Sequence, residues 1–205
     1  MRIIDYFRQG AQCDPQGIAF VDDAGSLSWA EAQLRVDGEL LGPRRRGEID
    51  ARGSLTMAGY YRNAEATAAM TANGWRRTGD IGFCDEQGFV YIVDRAKDMI
   101  ITGGYNVFSV EVEQVILEHP AVLDCAVIGV PHPKWGEAVS AIIELKSGAD
   151  FNEREIIAHV RARLGAVHAP KSVEVWPALP RSPAGKVIKA EIRERYWRGR
   201  ERAVG

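Results

Sequence analysis

No two cysteines in this sequence lie at the spacing of a redox pair or a zinc ribbon. Cys13, Cys84 and Cys125 are far apart and odd in number, which removes CxxC chemistry and leaves reduced, buried thiols as the expectation. The histidines, His119, His132, His159 and His168, show no HExxH or other ligand spacing, so no metal site is expected. No apolar run approaches the roughly 20 residues of a membrane span. Met1-Arg2-Ile3-Ile4-Asp5-Tyr6 breaks its apolar stretch too early for a signal peptide, and a cytoplasmic location is expected. Neither sign of charge is in excess: 26 basic residues face 28 acidic ones, for a net charge of -2. A dedicated nucleic-acid binder would carry a basic surplus. Internal repeats and low-complexity tracts are also missing.

What is present suits a folded chain of one to two domains. The length is 205 residues, with 46% apolar and 26% charged, enough to build a core. A short helix, a strand over 18–21 and a helix begun at Ser28 are expected near the amino terminus. Asp37-Gly38 is a turn signal, and the loop holding Arg44-Arg45-Arg46 reads as solvated. Short strands and turns fill 48–94, with a helix from Ala64 to Met70 and the strongest strand at Phe89-Val90-Tyr91-Ile92-Val93.

Beyond Asp94 the pattern becomes mixed. Gly103-Gly104 sits between two apolar runs, a two-residue hairpin signal. Ser109 is placed to cap a helix with the stripe Val112, Val115 and Ile116, stopped by Pro120. Residues 122–130 and 138–145 read as strands apolar enough to be central in a sheet. Asn152 and Glu155 form a capping-box pattern before Ile156, Ile157, Val160 and Leu164. A strand over 173–176 and a last helix carrying Ile188, Ile192 and Tyr196 on one face complete the chain, with Glu191 and Arg195 spaced as an i,i+4 pair.

Four segments stand out in order. They are Gly47-Glu48-Ile49 leading to Gly59-Tyr60-Tyr61-Arg62-Asn63; Gly74-Trp75-Arg76-Arg77-Thr78-Gly79-Asp80; Asp94-Arg95-Ala96-Lys97-Asp98 running on to Gly103-Gly104-Tyr105-Asn106-Val107; and Leu179-Pro180-Arg181-Ser182-Pro183-Ala184-Gly185-Lys186-Val187. Together they resemble the adenylate-forming (AMP-binding) superfamily, and within it the medium- and long-chain fatty acyl-CoA synthetases. The resemblance runs from about Leu34 to the end, and Ile18 to Ala32 also looks like the family's amino terminus.

The family's middle is absent. A full family chain is more than twice as long and carries a Ser/Thr/Gly-rich loop, ending in lysine, that wraps the ATP phosphates. The one Gly-Lys pair here, Gly185-Lys186, has no glycine cradle. An internal deletion near Leu34 to Asp37 accounts for this. The resemblance therefore implies an α+β fold: an amino-terminal remnant (1–34), a strand-rich remnant of the large domain (35–96) and a carboxy-terminal lid domain (97–205).

It also implies roles. Asp80 matches the aspartate that accepts hydrogen bonds from both ribose hydroxyls of ATP, a task suited to two carboxylate oxygens. Taken alone it reads as a turn aspartate. Arg95 matches a second ribose contact, and otherwise a strand-end surface arginine. Lys97 falls at the family's hinge, where a polar residue can absorb a backbone rotation, and otherwise is a loop lysine. Gly103 and Gly104 match the loop lining the path of the CoA pantetheine arm, although a Gly-Gly hairpin needs positive φ in any case. Lys186 matches the lysine that enters the active site during adenylation, where a mobile cation offsets charge gathering on the α-phosphate.

The family activity joins a fatty acid to CoA with Mg-ATP, releasing AMP and diphosphate. The implied partners are a fatty acid or other carboxylate, ATP and CoA, and the isolated chain is expected to be impaired without its phosphate loop. Apolar surface left by the missing domain is expected to favour self-association. The alternatives are a non-catalytic lid that binds CoA or docks onto another protein, and a decayed gene product.

Overall fold

The structure, a computed structural model, describes residues 18–22, 25–28, 35–36, 39–40, 42–51, 57–72, 74–86 and 90–199. The helices expected before Ile18 and after Ser28, and Cys13, lie outside the described residues. The chain divides into two compact units, Met1–Val93 and Asp94–Gly205.

In the first unit β1 (Ile18–Asp22) pairs antiparallel with β2 (Gly25–Ser28). Ser28, expected to begin a helix, is here the last residue of β2 and pairs with Ile18. β3 (Arg35–Val36) and β4 (Glu39–Leu40) pair antiparallel; the turn expected at 37–38 lies outside the described residues. β5 (Gly47–Ala51), β6 (Thr71–Ala72), β7 (Trp75–Cys84) and β8 (Val90–Arg95) form a sheet with β7 between β5 and β6 and β8 also on β7. The short helix α1 (Ala64–Ala69) is capped by Asn63, whose side-chain oxygen accepts the Ala66 N–H at 3.0 Å. Gly82 lets β8 approach β7 closely, since a Cβ there would lie 2.5 Å from the Tyr91 carbonyl oxygen.

The second unit is one sheet covered on both faces. β9 (Ile100–Thr102) and β10 (Tyr105–Val107) form the expected hairpin. β11 (Val122–His132) and β12 (Gly136–Leu145) form a long antiparallel pair. β13 (Ser172–Val175) joins β12 in parallel; such a pairing needs a crossover, supplied by α3 (Glu153–Leu164). Side chains alternate along the strands. Cys125, Val127, Val139, Ala141 and Ile143 meet α2 (Ser109–Leu117) and α3 through Val112, Ile116, Ile156 and Val160. On the other face Ala126, Ile128 and Ile142 pack with Leu179 and with Ile192 of α4 (Lys189–Trp197).

Two expectations change here. β11 is an edge strand, not a central one; its continuous apolar run follows from helices on both of its faces. Arg195 does not reach toward Glu191 but stacks over the Trp176 ring, 4.1 Å from its centroid.

A third change concerns helix α2. Phe108 is its N-cap residue and makes no side-chain cap bond. The cap comes from Asp94, only 3% exposed, whose Oδ2 accepts from the Ser109 hydroxyl at 2.8 Å, from the Ser109 N–H and from the Val110 N–H. Ser109 is thus the first helical residue, and its hydroxyl serves Asp94 instead of its own backbone. The arrangement predicts that residues 94–205 unfold cooperatively on their own. A segment beginning at Lys97 loses the cap and should be less stable by about 0.5–2 kcal/mol. Chemical denaturation of the two segments side by side checks this, and equal stabilities would contradict it.

Candidate functional site

In the first unit, Asp80 lies half-buried in the bend of β7. Gly79 adopts φ 74°, a left-handed value that suits glycine. Its N–H donates to Glu48 Oε1 at 3.2 Å, and the other Glu48 oxygen lies 3.8 Å from Arg77 Nε. Thr78 Oγ1 accepts the Asp80 N–H at 3.1 Å. The Thr-Gly-Asp segment is therefore a held bend inside a long strand. Glu48, which spacing alone gave no task, does part of the holding from β5.

In the second unit, Arg95 is exposed at the end of β8, its N–H bonded to Asp94 Oδ1 at 2.8 Å. Lys97 is exposed at the centre of a single 3-10 turn, Ala96–Asp98. Both flanks of this lysine are tied down: Asp94 caps α2, and Asp98 pairs with Arg193 of α4.

Gly103 and Gly104 form the tip of the β9–β10 hairpin with φ 57° and 84°, the two positive values of a type I′ turn. Backbone conformation is what requires glycine here. A Cβ at Gly103 would make an ordinary 3.5 Å contact with Trp135, and one at Gly104 would meet nothing within 4 Å. The Gly103 N–H donates to the Trp135 carbonyl at 3.0 Å. Trp135 stacks on His132, with ring centroids 4.1 Å apart. The Gly-Gly tip is thus attached to the β11–β12 turn.

Lys186 is exposed on a loop closed by its own backbone. The Arg181–Val187 bridge joins its two sides. The Ser182 N–H donates to the Lys186 carbonyl and the Gly185 N–H to the Ser182 carbonyl, both at 2.8 Å. Gly185 turns the chain with φ 79°. Arg181 anchors the loop to Asp124 at 2.7 Å and to Glu144 at 3.1 Å, at the far end of the β11–β12 pair from Trp135. From Gly136 to Glu144 the strand covers about 26 Å, at roughly 3.3 Å per residue. The Gly-Gly tip and the Lys186 loop therefore occupy opposite ends of the second unit and do not converge on one site.

Between these ends lies a buried polar chain. Lys189 Nζ donates to the Ser109 hydroxyl and pairs with Glu113, both at 2.7 Å. Glu113 in turn accepts the Val127 N–H at 2.7 Å. Burial raises the Glu113 carboxyl above its usual range, against the opposing pull of Lys189. Burial also pushes the Cys125 and Cys84 thiols up, which keeps them as inert thiols. Among the described residues no group of three or more His, Cys, Asp or Glu could hold a metal ion, and no helix is long and apolar enough to cross a membrane.

Residues 111–186 match the family model of the AMP-binding enzyme C-terminal domain. A medium/long-chain-fatty-acid–CoA ligase of Mycobacterium tuberculosis is 48% identical over 166 residues, covering 78% of this chain and 29% of that protein. A feruloyl-CoA synthase of an Amycolatopsis species is 42% identical over 159 residues, covering 78% and 32%. The crystal structure of ATP-bound MatB from Rhodopseudomonas palustris superposes with a TM-score of 0.75 at 36% identity, covering 80% of this chain and 33% of that one. The chain spans about a third of the length of these relatives. The α+β second unit, the matched C-terminal domain model and these similarities place the chain in the adenylate-forming superfamily, whose carboxy-terminal domain it carries.

Proposed function

We propose that this chain carries the lid of an AMP-forming fatty acyl-CoA ligase and works through two ends of that lid. In the first half-reaction a carboxylate oxygen attacks the α-phosphorus of Mg-ATP, and the bond to diphosphate breaks. Lys186 offsets the charge that gathers on the phosphoryl oxygens. Asp80 and Arg95 hold the ribose. The lid then turns at Lys97. In the second half-reaction the CoA sulfur attacks the acyl carbon, the acyl–phosphate bond breaks and AMP leaves, with Gly103 and Gly104 lining the approach. The observation that carries the reading is the separation of the Lys186 loop from the Gly-Gly tip by the length of β11–β12. Two steps served from opposite ends require two lid orientations.

The chain's own adenylation is impaired in this account, because the sequence holds no Ser/Thr/Gly-rich phosphate loop. The same absence favours a second reading, a lid that binds CoA or docks onto another protein without catalysis. Relatives of similar identity act on fatty acids and on ferulate by name; the fatty-acyl preference rests on the motif resemblance. A cytoplasmic location and self-association through exposed Tyr60, Tyr61 and Ile92 belong to the same proposal. Calorimetry with ATP, AMP and CoA in turn tests it. ATP should bind weakly or not at all, and micromolar or tighter Mg-ATP affinity would contradict the impairment. CoA binding without ATP binding would favour the second reading.

A further inference from the structure

We infer that Arg181 is a positioning residue for Lys186, acting through the Gly185–Lys186 peptide. Asp124 and Glu144 stand directly opposite each other in the β11–β12 register. Like charges in that relation destabilise a strand pair. Arg181 offsets the repulsion. Its Nη2 donates to Asp124 Oδ2 and Glu144 Oε1, and its Nη1 reaches the Gly185 carbonyl at 3.3 Å. That carbonyl shares a peptide plane with the Lys186 N–H, which donates to Ser182 Oγ at 3.2 Å.

One planar guanidinium thus fixes, from the sheet, the peptide from which the Lys186 side chain departs. A lysine at 181 would keep the charge, but a point-like ammonium lacks the rigid fork that spans both carboxylates and the carbonyl. The base of the loop is also held, by the Leu179 N–H bonded to the same Glu144 Oε1 and by Val187 packed on the sheet. At its tip Pro183 and Ala184 bring no polar side chain, and among the described residues Arg181 is the side chain seen to reach from the sheet to the Gly185 carbonyl. Exposed loops of this kind open most easily. The purpose assigned to the anchor rests on the reading of Lys186 given above; the anchoring itself does not.

The test uses the full chain with Arg181→Lys and, separately, Asp124→Asn. The first readout is the initial rate of cleavage after Lys186 by a lysine-specific protease, resolved by fragment mass from cleavage at the lysine that Arg181→Lys itself introduces, relative to cleavage after Lys134 and Lys146. The second is the NMR dimethylamine signal of Lys186 after reductive 13C-methylation. Arg181→Lys should speed cleavage at Lys186 on the order of tenfold, the weight of one charge-assisted fork. Cleavage after Lys134 and Lys146 should stay unchanged, and the Lys186 signal should sharpen. Asp124→Asn, which spares the Glu144 arm, should act in the same direction more weakly, and it decides the matter if Arg181→Lys does not fold. Wild-type cleavage and an unaltered Lys186 signal in a folded variant would overturn the inference. A loosened loop beside a Lys186→Ala change that leaves adenylation untouched would keep the anchoring and remove the catalytic assignment of Lys186.

Discussion

Lys189→Met should destabilise the second unit by about 3–5 kcal/mol near neutral pH, the usual cost of leaving one partner of a buried ion pair alone. Lys189 and Glu113 are each only 14% exposed in their side chains. Without the ammonium, the Glu113 carboxylate keeps the Val127 N–H as its donor, and the Ser109 hydroxyl loses the Lys189 contact. The pH dependence identifies the cause. Burial already holds the Glu113 carboxyl above its usual range, so the folded state binds that proton more tightly than the unfolded chain does. Stability from this group is then lost as pH rises from the ordinary glutamate range, about 4.3, through the raised folded value. Removing Lys189 takes away the attraction that opposes the shift and widens that window. The penalty should therefore be largest at neutral pH and shrink in acid, where Glu113 is protonated. Adding Glu113→Gln should recover much of it at neutral pH. Urea denaturation of the three proteins at both pH values checks this. A penalty that does not change with pH would place the damage in packing instead of in the ion pair.

The local features of this fold were legible in the sequence where the controlling contact is local. Asn152 accepts the Arg154 N–H at 3.1 Å, and its amide donates to Glu155 at 2.8 Å. Asn152 is the expected N-cap, but the reciprocal capping box does not form: its side chain takes the second helical N–H instead of the third, and the glutamate bonds the Asn152 side chain instead of its backbone N–H. Gly103-Gly104 is likewise a hairpin turn because two adjacent positive φ values admit little else. The misreadings share another cause. Ser109 looked like a cap, but Asp94, fifteen positions upstream, competes for its hydroxyl and N–H. Arg195 looked like a partner for Glu191 until the packing of α4 placed Trp176 beneath it. Arg181 has no local sequence signal, since Asp124 and Glu144 become neighbours only through the strand register.

The candidate site was legible only as a set of family positions. Nothing in the spacing of Gly103-Gly104 and Lys186 says that β11 and β12 set them at opposite ends. That placement depends on the Gly103–Trp135 bond and on the Arg181 anchor, both tertiary. Exposure of Lys186 was foreseeable, because Pro183-Ala184-Gly185 makes a loop tip ahead of α4.

Lys186→Ala should depress adenylation by about 10²–10³ when this chain is completed with the phosphate-loop segment of a relative, the usual loss for one preorganised group facing developing charge. Stability should change by less than about 0.5 kcal/mol, since the side chain is exposed. Thioester formation from preformed acyl-adenylate should be largely spared, because the Gly-Gly tip, a strand's length away from Lys186, serves that step. The two half-reactions, measured separately in the completed protein with and without Lys186→Ala, test the two-ended lid most directly. The account predicts a large loss in the first and a small one in the second; equal slowing of both, or of neither, would contradict it.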